Sequence, residues 1–103
     1  MKNALFVSAA LVAALSAPSA FASQELAQKK NCMACHAVDK KLVGPAYKDV
    51  AAKYAKDKDA VKKLSEKIIK GGSGVWGPVP MPANTQVSPA EAEQLAQWVM
   101  STK

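Results

Sequence analysis

Apolar residues recur at helical intervals through most of this chain, and nowhere at the every-second-residue interval of a half-buried strand. Residues 24–31 (QELAQKKN) suit a short helix that runs into a cysteine-containing stretch. Tyr47, Val50, Ala51 and Tyr54 fall at i, i+3, i+4 and i+7, one face of an amphipathic helix. Val61, Leu64 and Ile68 mark another, for which Asp59 is the expected N-cap and Gly71-Gly72 the stop. The last helix carries the fullest set of signals. Ser88 is its N-cap, Pro89 takes the first helical position, and Glu91 completes an S-x-x-E capping box; Leu95, Trp98 and Val99 form the buried stripe. Between the last two helices, GGSGVWGPVPMPANTQ (71–86) is rich in glycine and proline and has no period, which predicts an ordered loop. A loop that long in so small a chain points to a function. The pattern as a whole predicts an all-α fold of about four helices.

The first residues follow a different pattern. Lys2 gives a positive start, Leu5 to Leu15 is an uncharged and mostly apolar run, and Ala20-Phe21-Ala22 is a small-x-small cleavage site. That is the layout of a secretory leader over 1–22, leaving one domain over 23–103. The apolar run is shorter than the roughly 20 residues a bilayer span needs, so stable membrane insertion after cleavage is not expected. Both phenylalanines, Phe6 and Phe21, fall within the leader. The aromatics left to the domain are Tyr47, Tyr54, Trp76 and Trp98, a thin supply of core for a chain of this size. Small domains commonly need a staple, a metal or a cofactor.

Charge narrows the partner classes. The net charge is +6, and all 14 basic residues are lysine. Nucleic-acid readers favour arginine for bidentate contacts, and an exported protein rarely meets nucleic acid, so that class is set aside. A lysine-covered surface serves either as plain solvated exterior or as an electrostatic guide toward acidic partners.

The two cysteines and the one histidine of the chain all lie within CMACH, residues 32–36. A structural zinc site needs four ligands and usually a second Cys or His pair, which is missing. A dithiol–disulfide site has the C-x-x-C spacing but normally follows a strand, and no strand is predicted. The third chemistry is covalent haem, for which C-x-x-C-H is the attachment signal. Two thiols at this spacing reach the two vinyl groups on one porphyrin edge, and the next residue places its imidazole beneath the iron. Haem also supplies the missing apolar centre. With no second histidine, the other face of the iron falls to Met33, Met81, Met100 or a lysine. Met33 lies inside the tethered motif and Met100 well into the terminal helix. Met81 stands between Pro80 and Pro82, whose fixed φ angles stiffen the loop around it. A thioether favours ferrous iron and raises the potential, and two filled axial positions suit one-electron transfer. The rival is a small-ligand-binding or peroxidase-like haem protein with a labile Met81; the rigid Pro-Met-Pro segment argues for a closed site.

CMACHAVDKKLVGPAYKDVAAKYA and GGSGVWGPVPMP together resemble the small soluble bacterial class I cytochromes c, short-chain monohaem electron carriers of the periplasm, over essentially all of 24–103. The resemblance implies a single small domain wrapped around one haem c, anchored by Cys32 and Cys35, with His36 and Met81 as axial ligands. It also implies that the Pro45 carbonyl accepts the His36 ring N–H, that Trp76 donates toward a haem propionate with Lys67 approaching the same group, and that Asn84 hydrogen-bonds near the Met81 sulfur. The implied protein is a monomeric carrier rather than an enzyme. It would pass electrons between respiratory complexes and a terminal reductase or oxidase, through partners with acidic docking faces. The implied exit is a haem edge ringed by Met33, Leu42 and Val79, with Lys40 and Lys41 as the steering charges. The chain departs from the pattern at Asn31, where relatives often carry glycine, and in ANTQVS, which is slightly longer than in some of them. Asparagine tolerates left-handed backbone better than most residues, so the turn into the motif is expected to survive.

Overall fold

The structure, a computed structural model, describes residues 20–103. The leader expected over 1–22 lies outside the described residues, apart from the backbone of its last three. Four α-helices follow in order, α1 (Ala20–Lys29), α2 (Tyr47–Lys53), α3 (Ala60–Lys70) and α4 (Pro89–Met100), with a 3₁₀ turn at Cys32–Ala34 between the first two. No strand occurs among the described residues; the nearest approach is one isolated antiparallel bridge between Gly72 and Met81.

The hub is α4, which packs against α1, α2 and α3. Its start is held as the sequence predicts. The Ser88 hydroxyl accepts from the Glu91 backbone N–H at 3.1 Å, and the Glu91 carboxylate accepts from the Ser88 N–H at 3.0 Å. Ala92, Leu95, Ala96, Trp98 and Val99 are buried along α4 and meet Ala27, Tyr47, Val50 and Leu64 from the other three helices. Ala27 is fully buried at 0% exposure, so α1 approaches α4 with almost no side chain between the backbones.

Three details differ from the sequence expectation. α1 ends at Lys29 rather than running to 31, because Asn31 takes a left-handed conformation (φ 64°, ψ 19°) and turns the chain into the 3₁₀ segment. Tyr54 is the C-cap of α2, its φ of −99° and ψ of 8° having left the helical region. Asp59 sits at the N-cap position of α3, but its side chain makes no capping bond. Asp57 acts there instead. Its carboxylate accepts the Asp59 backbone N–H at 2.8 Å and pairs with Lys63 at 2.7 Å, so the local turn uses the acid two residues upstream. The stop of α3 is as expected: Gly71 has φ 69°, and a Cβ there would stand 2.4 Å from the Met81 carbonyl oxygen, so both conformation and space require glycine.

Candidate functional site

The loop after α3 and the segment after the 3₁₀ turn enclose a cavity of about 340 Å³ against α2, α3 and α4. Val50, Leu64, Ile68 and Val99 give it an apolar floor, and Cys35, His36, Lys67, Trp76 and Met81 line it as well. That volume lies within the range of small-molecule and cofactor pockets.

On one side the imidazole of His36 is fixed from three directions. Nδ1 lies 2.8 Å from the Pro45 carbonyl oxygen. A carbonyl can only accept, so Nδ1 carries the hydrogen and Nε2 keeps its lone pair. Tyr47 stacks on the ring at 4.9 Å between centroids and 23° between planes, and is itself met edge-on by Trp98 at 5.1 Å. On another flank the backbone of Gly44 comes so close that a Cβ would stand 2.5 Å from Cε1. Gly44 is also drawn toward the motif by its N–H, which donates to the Cys35 carbonyl at 2.7 Å. Cys32 and Cys35 are half-buried and not joined to each other. Burial pushes the Cys32 thiol up from its ordinary value; the Cys35 sulfur adds to that, while hydrogen bonds with the backbone and Tyr47 oppose it. The Tyr47 hydroxyl is pushed up more strongly, first by burial and then by the two neighbouring sulfurs.

Met81 belongs to the loop, and the loop is pinned at its foot. Gly72 and Met81 exchange backbone hydrogen bonds of 3.0 and 2.7 Å. The Asn84 backbone N–H and side-chain amide both donate to the Ile68 carbonyl, at 3.2 and 2.8 Å, and its oxygen accepts from Gln86 at 3.1 Å. Asn84 therefore secures the descending limb of the loop to the last turn of α3, keeping one amide hydrogen for another acceptor. Among the methionines of the described residues, Met81 lines the cavity, whereas Met33 and Met100 pack against the hydrophobic core. Lys67 lines the cavity and passes over Gly72, where a Cβ would stand 2.6 Å from its Nζ. Trp76 lines the cavity with 43% of its surface exposed and has the Lys53 ammonium 5.3 Å above its ring.

The donor set suits haem and little else. An imidazole with its lone pair held free, a thioether, and two thiols beside an apolar cavity are the groups an iron porphyrin takes. Among the described residues no group of three His, Cys, Asp or Glu side chains is placed to hold a metal ion.

Comparison with known proteins agrees. The family model for cytochrome c matches residues 22–103. The chain belongs to the cytochrome c family. It is similar to cytochrome c-552 of Hydrogenobacter thermophilus, 63% identical over 83 residues covering 81% of this chain and 84% of that protein. It is similar also to cytochrome c-552 of Nitrosomonas europaea, 52% identical over 103 residues and the full length of both. The crystal structure of the wild-type Nitrosomonas europaea protein superposes with a TM-score of 0.76 at 55% identity, covering 78% of this chain and 99% of that one. Membership makes this cytochrome a small haem electron carrier rather than an enzyme, with a covalently bound c-type haem and redox proteins as partners. Cys32 and Cys35 are its two cysteines, at the attachment spacing. No helix among the described residues is long and apolar enough to cross a membrane.

The sequence reading singled out Cys32, Cys35, His36, Pro45, Met81, Trp76, Lys67 and Asn84; the structure brings Cys35, His36, Pro45, Met81, Trp76 and Lys67 to one cavity, with the Pro45 carbonyl on the His36 ring, while Cys32 packs against the hydrophobic core instead of lining it. Asn84 lies in the descending limb of the loop, bonded to α3, and is not among the cavity-lining residues. Sequence reasoning missed Gly44, the stacking of Tyr47 on His36, and Lys53 over Trp76. The Gly-Pro pair at 44–45 was a signal for the first; the other two are contacts across the fold and leave no local trace.

Proposed function

We propose that this cytochrome is an exported, monomeric one-electron carrier of the periplasm, with its leader removed after Ala22 and its iron held by His36 and Met81. The observation that carries the reading is the pairing of a tautomer-fixed His36 and Met81 in one apolar cavity. Bound haem would supply a single iron redox couple; everything else is the work of the chain. Pro45 holds the imidazole hydrogen and increases the basicity of Nε2. The Gly72–Met81 bridge and the Asn84 anchor hold the thioether side of the cavity, and the second amide hydrogen of Asn84 serves the Met81 sulfur. Trp76 and Lys67 bring an indole N–H and an ammonium to the propionates. The family match over residues 22–103 covers the whole of the proposed mature domain.

Partners with acidic faces dock where Leu42, Val43 and Val79 stand exposed near the mouth, with Lys40 and Lys41 beside them. Its acceptors are terminal reductases or oxidases with acidic docking faces, and its donors are respiratory complexes.

The test is substitution at the distal residue. The oxidised holoprotein should show the weak far-red band of a sulfur–ferric charge transfer. Met81→Ala should abolish it, lower the reduction potential and admit carbon monoxide to the ferrous form, while Met100→Leu should do none of these. A parent that binds carbon monoxide readily at neutral pH would instead favour the ligand-binding alternative.

A further inference from the structure

The loop that carries Met81 is fastened unevenly. Its foot is closed by the Gly72–Met81 exchange and by the Asn84 bonds to Ile68, and within it Gly74 donates to the Gly77 carbonyl at 2.9 Å. Among the described residues, no other hydrogen bond joins 73–80 to the helices. Yet this tip carries Trp76, Val75 and Val79, which form the outer wall of the cavity. A contact that does cross from the helical body to the tip is the ammonium of Lys53, in the last turn of α2, standing 5.3 Å over the Trp76 ring. Among the described residues the ion pairs are Lys30–Glu91 and Lys63–Asp57, so Lys53 is not held in an ion pair with a protein carboxylate.

We propose that Lys53 is a positioning residue that straps the tip of the Met81 loop to α2 through the face of Trp76, and thereby sets how often the cavity opens to small ligands. An aromatic face attracts a cation through its quadrupole, and the attraction survives partial exposure. The foot bonds do not depend on the strap, so its loss opens the tip while Met81 stays anchored. The inference rests on the distal-ligand reading only for its second readout.

The experiment compares Lys53→Ala and Lys53→Arg with the parent as haem-loaded protein. The first readout is hydrogen exchange of the Trp76 indole N–H by NMR, which reports tip opening whatever the distal ligand is. The second is the rate at which imidazole binds the ferric protein. An exposed cation–π contact corresponds to roughly two- to five-fold in an opening equilibrium. Lys53→Ala should therefore raise both rates by about that factor, with the far-red band intact, and Lys53→Arg should behave as the parent because guanidinium stacks at least as well. Parent-like indole exchange in Lys53→Ala overturns the strap. So does an equal increase in both variants, which would assign the effect to the end of α2 rather than to the cation. If instead Met81→Ala keeps the far-red band, the distal-ligand reading fails and the indole exchange alone decides on Lys53.

Discussion

The imidazole of His36 is confined by more than its bond to the Pro45 carbonyl. Gly44 stands where a methyl group would reach 2.5 Å from Cε1 and 2.8 Å from Nδ1, and Tyr47 stacks on the ring. Gly44→Ala should therefore cost about 1–3 kcal/mol by overpacking. Denaturant unfolding of the holoprotein should show a lower midpoint, and NMR should show the His36 ring N–H weakened or displaced. An unchanged midpoint and ring signal would mean that the 41–45 segment shifts at no cost. Asn31 makes a complementary point about backbone. Its φ of 64° is the one positive value among non-glycine described residues, at the turn that presents Cys32. A residue with a Cβ and no local hydrogen bonding pays about 1 kcal/mol or more there. Asn31→Ala should lose stability on that scale, whereas Asn31→Gly should stay level with the parent, as differential unfolding would reveal. This turn was legible beforehand, because asparagine before a C-x-x-C-H motif carries its own conformational preference. The crowding at Gly44 was not, because it depends on where a ring eight residues away comes to rest.

At the scale of elements, α4 was legible almost to the atom and α3 only in outline, for a physical reason. The capping box of α4 is a reciprocal bond between Ser88 and Glu91, three residues apart, so local sequence contains the whole device. The start of α3 had two acids, Asp57 and Asp59, among four lysines within residues 56–63, and the choice among them depended on a turn geometry that composition does not specify. A tie beyond local reach completes α4: Lys30 donates to the Gln86 carbonyl at 2.9 Å and lies 3.5 Å from Glu91, joining the end of α1 to the start of α4. Ser88→Ala should then cost about 1 kcal/mol. Glu91 gives the same device a pH signature. Its carboxyl is held below its ordinary value of 4.5, first by the Ser88 backbone N–H and also by Lys30. A group whose folded pKa is depressed stabilises fully above its unfolded value, and the contribution is lost as pH falls through the folded one. Stability should thus be level above about pH 5 in this respect and decline on further acidification. Glu91→Gln should be less stable at neutral pH and show a shallower decline, measured by denaturant midpoints between about pH 3 and 7. Equal slopes in parent and variant would remove Glu91 from the acid transition.

For the whole molecule the question is how an electron leaves a haem enclosed by helices. The rate falls steeply with distance, so a partner must come close to an exposed edge. Leu42 (43%), Val43 (58%) and Val79 (60%) are exposed, and Val43 and Val79 also line the cavity, so an apolar surface adjoins its mouth. Met33, which the sequence reading placed on the same rim, is half-buried and packs on the core, so it contributes less of itself to contact. Lys40 and Lys41 are exposed beside the patch, and Lys41 lines the cavity. This division separates two steps. Lysines act on encounter at long range, and their pull on an acidic partner is screened over a Debye length of about 8 Å at physiological salt. Apolar contact acts after encounter, when the faces meet. The bimolecular rate with an acidic redox partner should therefore fall as salt rises at fixed pH. Lys40→Glu together with Lys41→Glu should slow association severalfold at low salt, within the roughly 10- to 1,000-fold range that steering supplies. The reduction potential should barely move, because both charges are solvated. Leu42→Asp should instead slow transfer within the complex, even at saturating partner. Stopped-flow oxidation across a salt series separates the two. If the lysine double variant and Leu42→Asp both match the parent at low salt, the docking face lies elsewhere on the molecule.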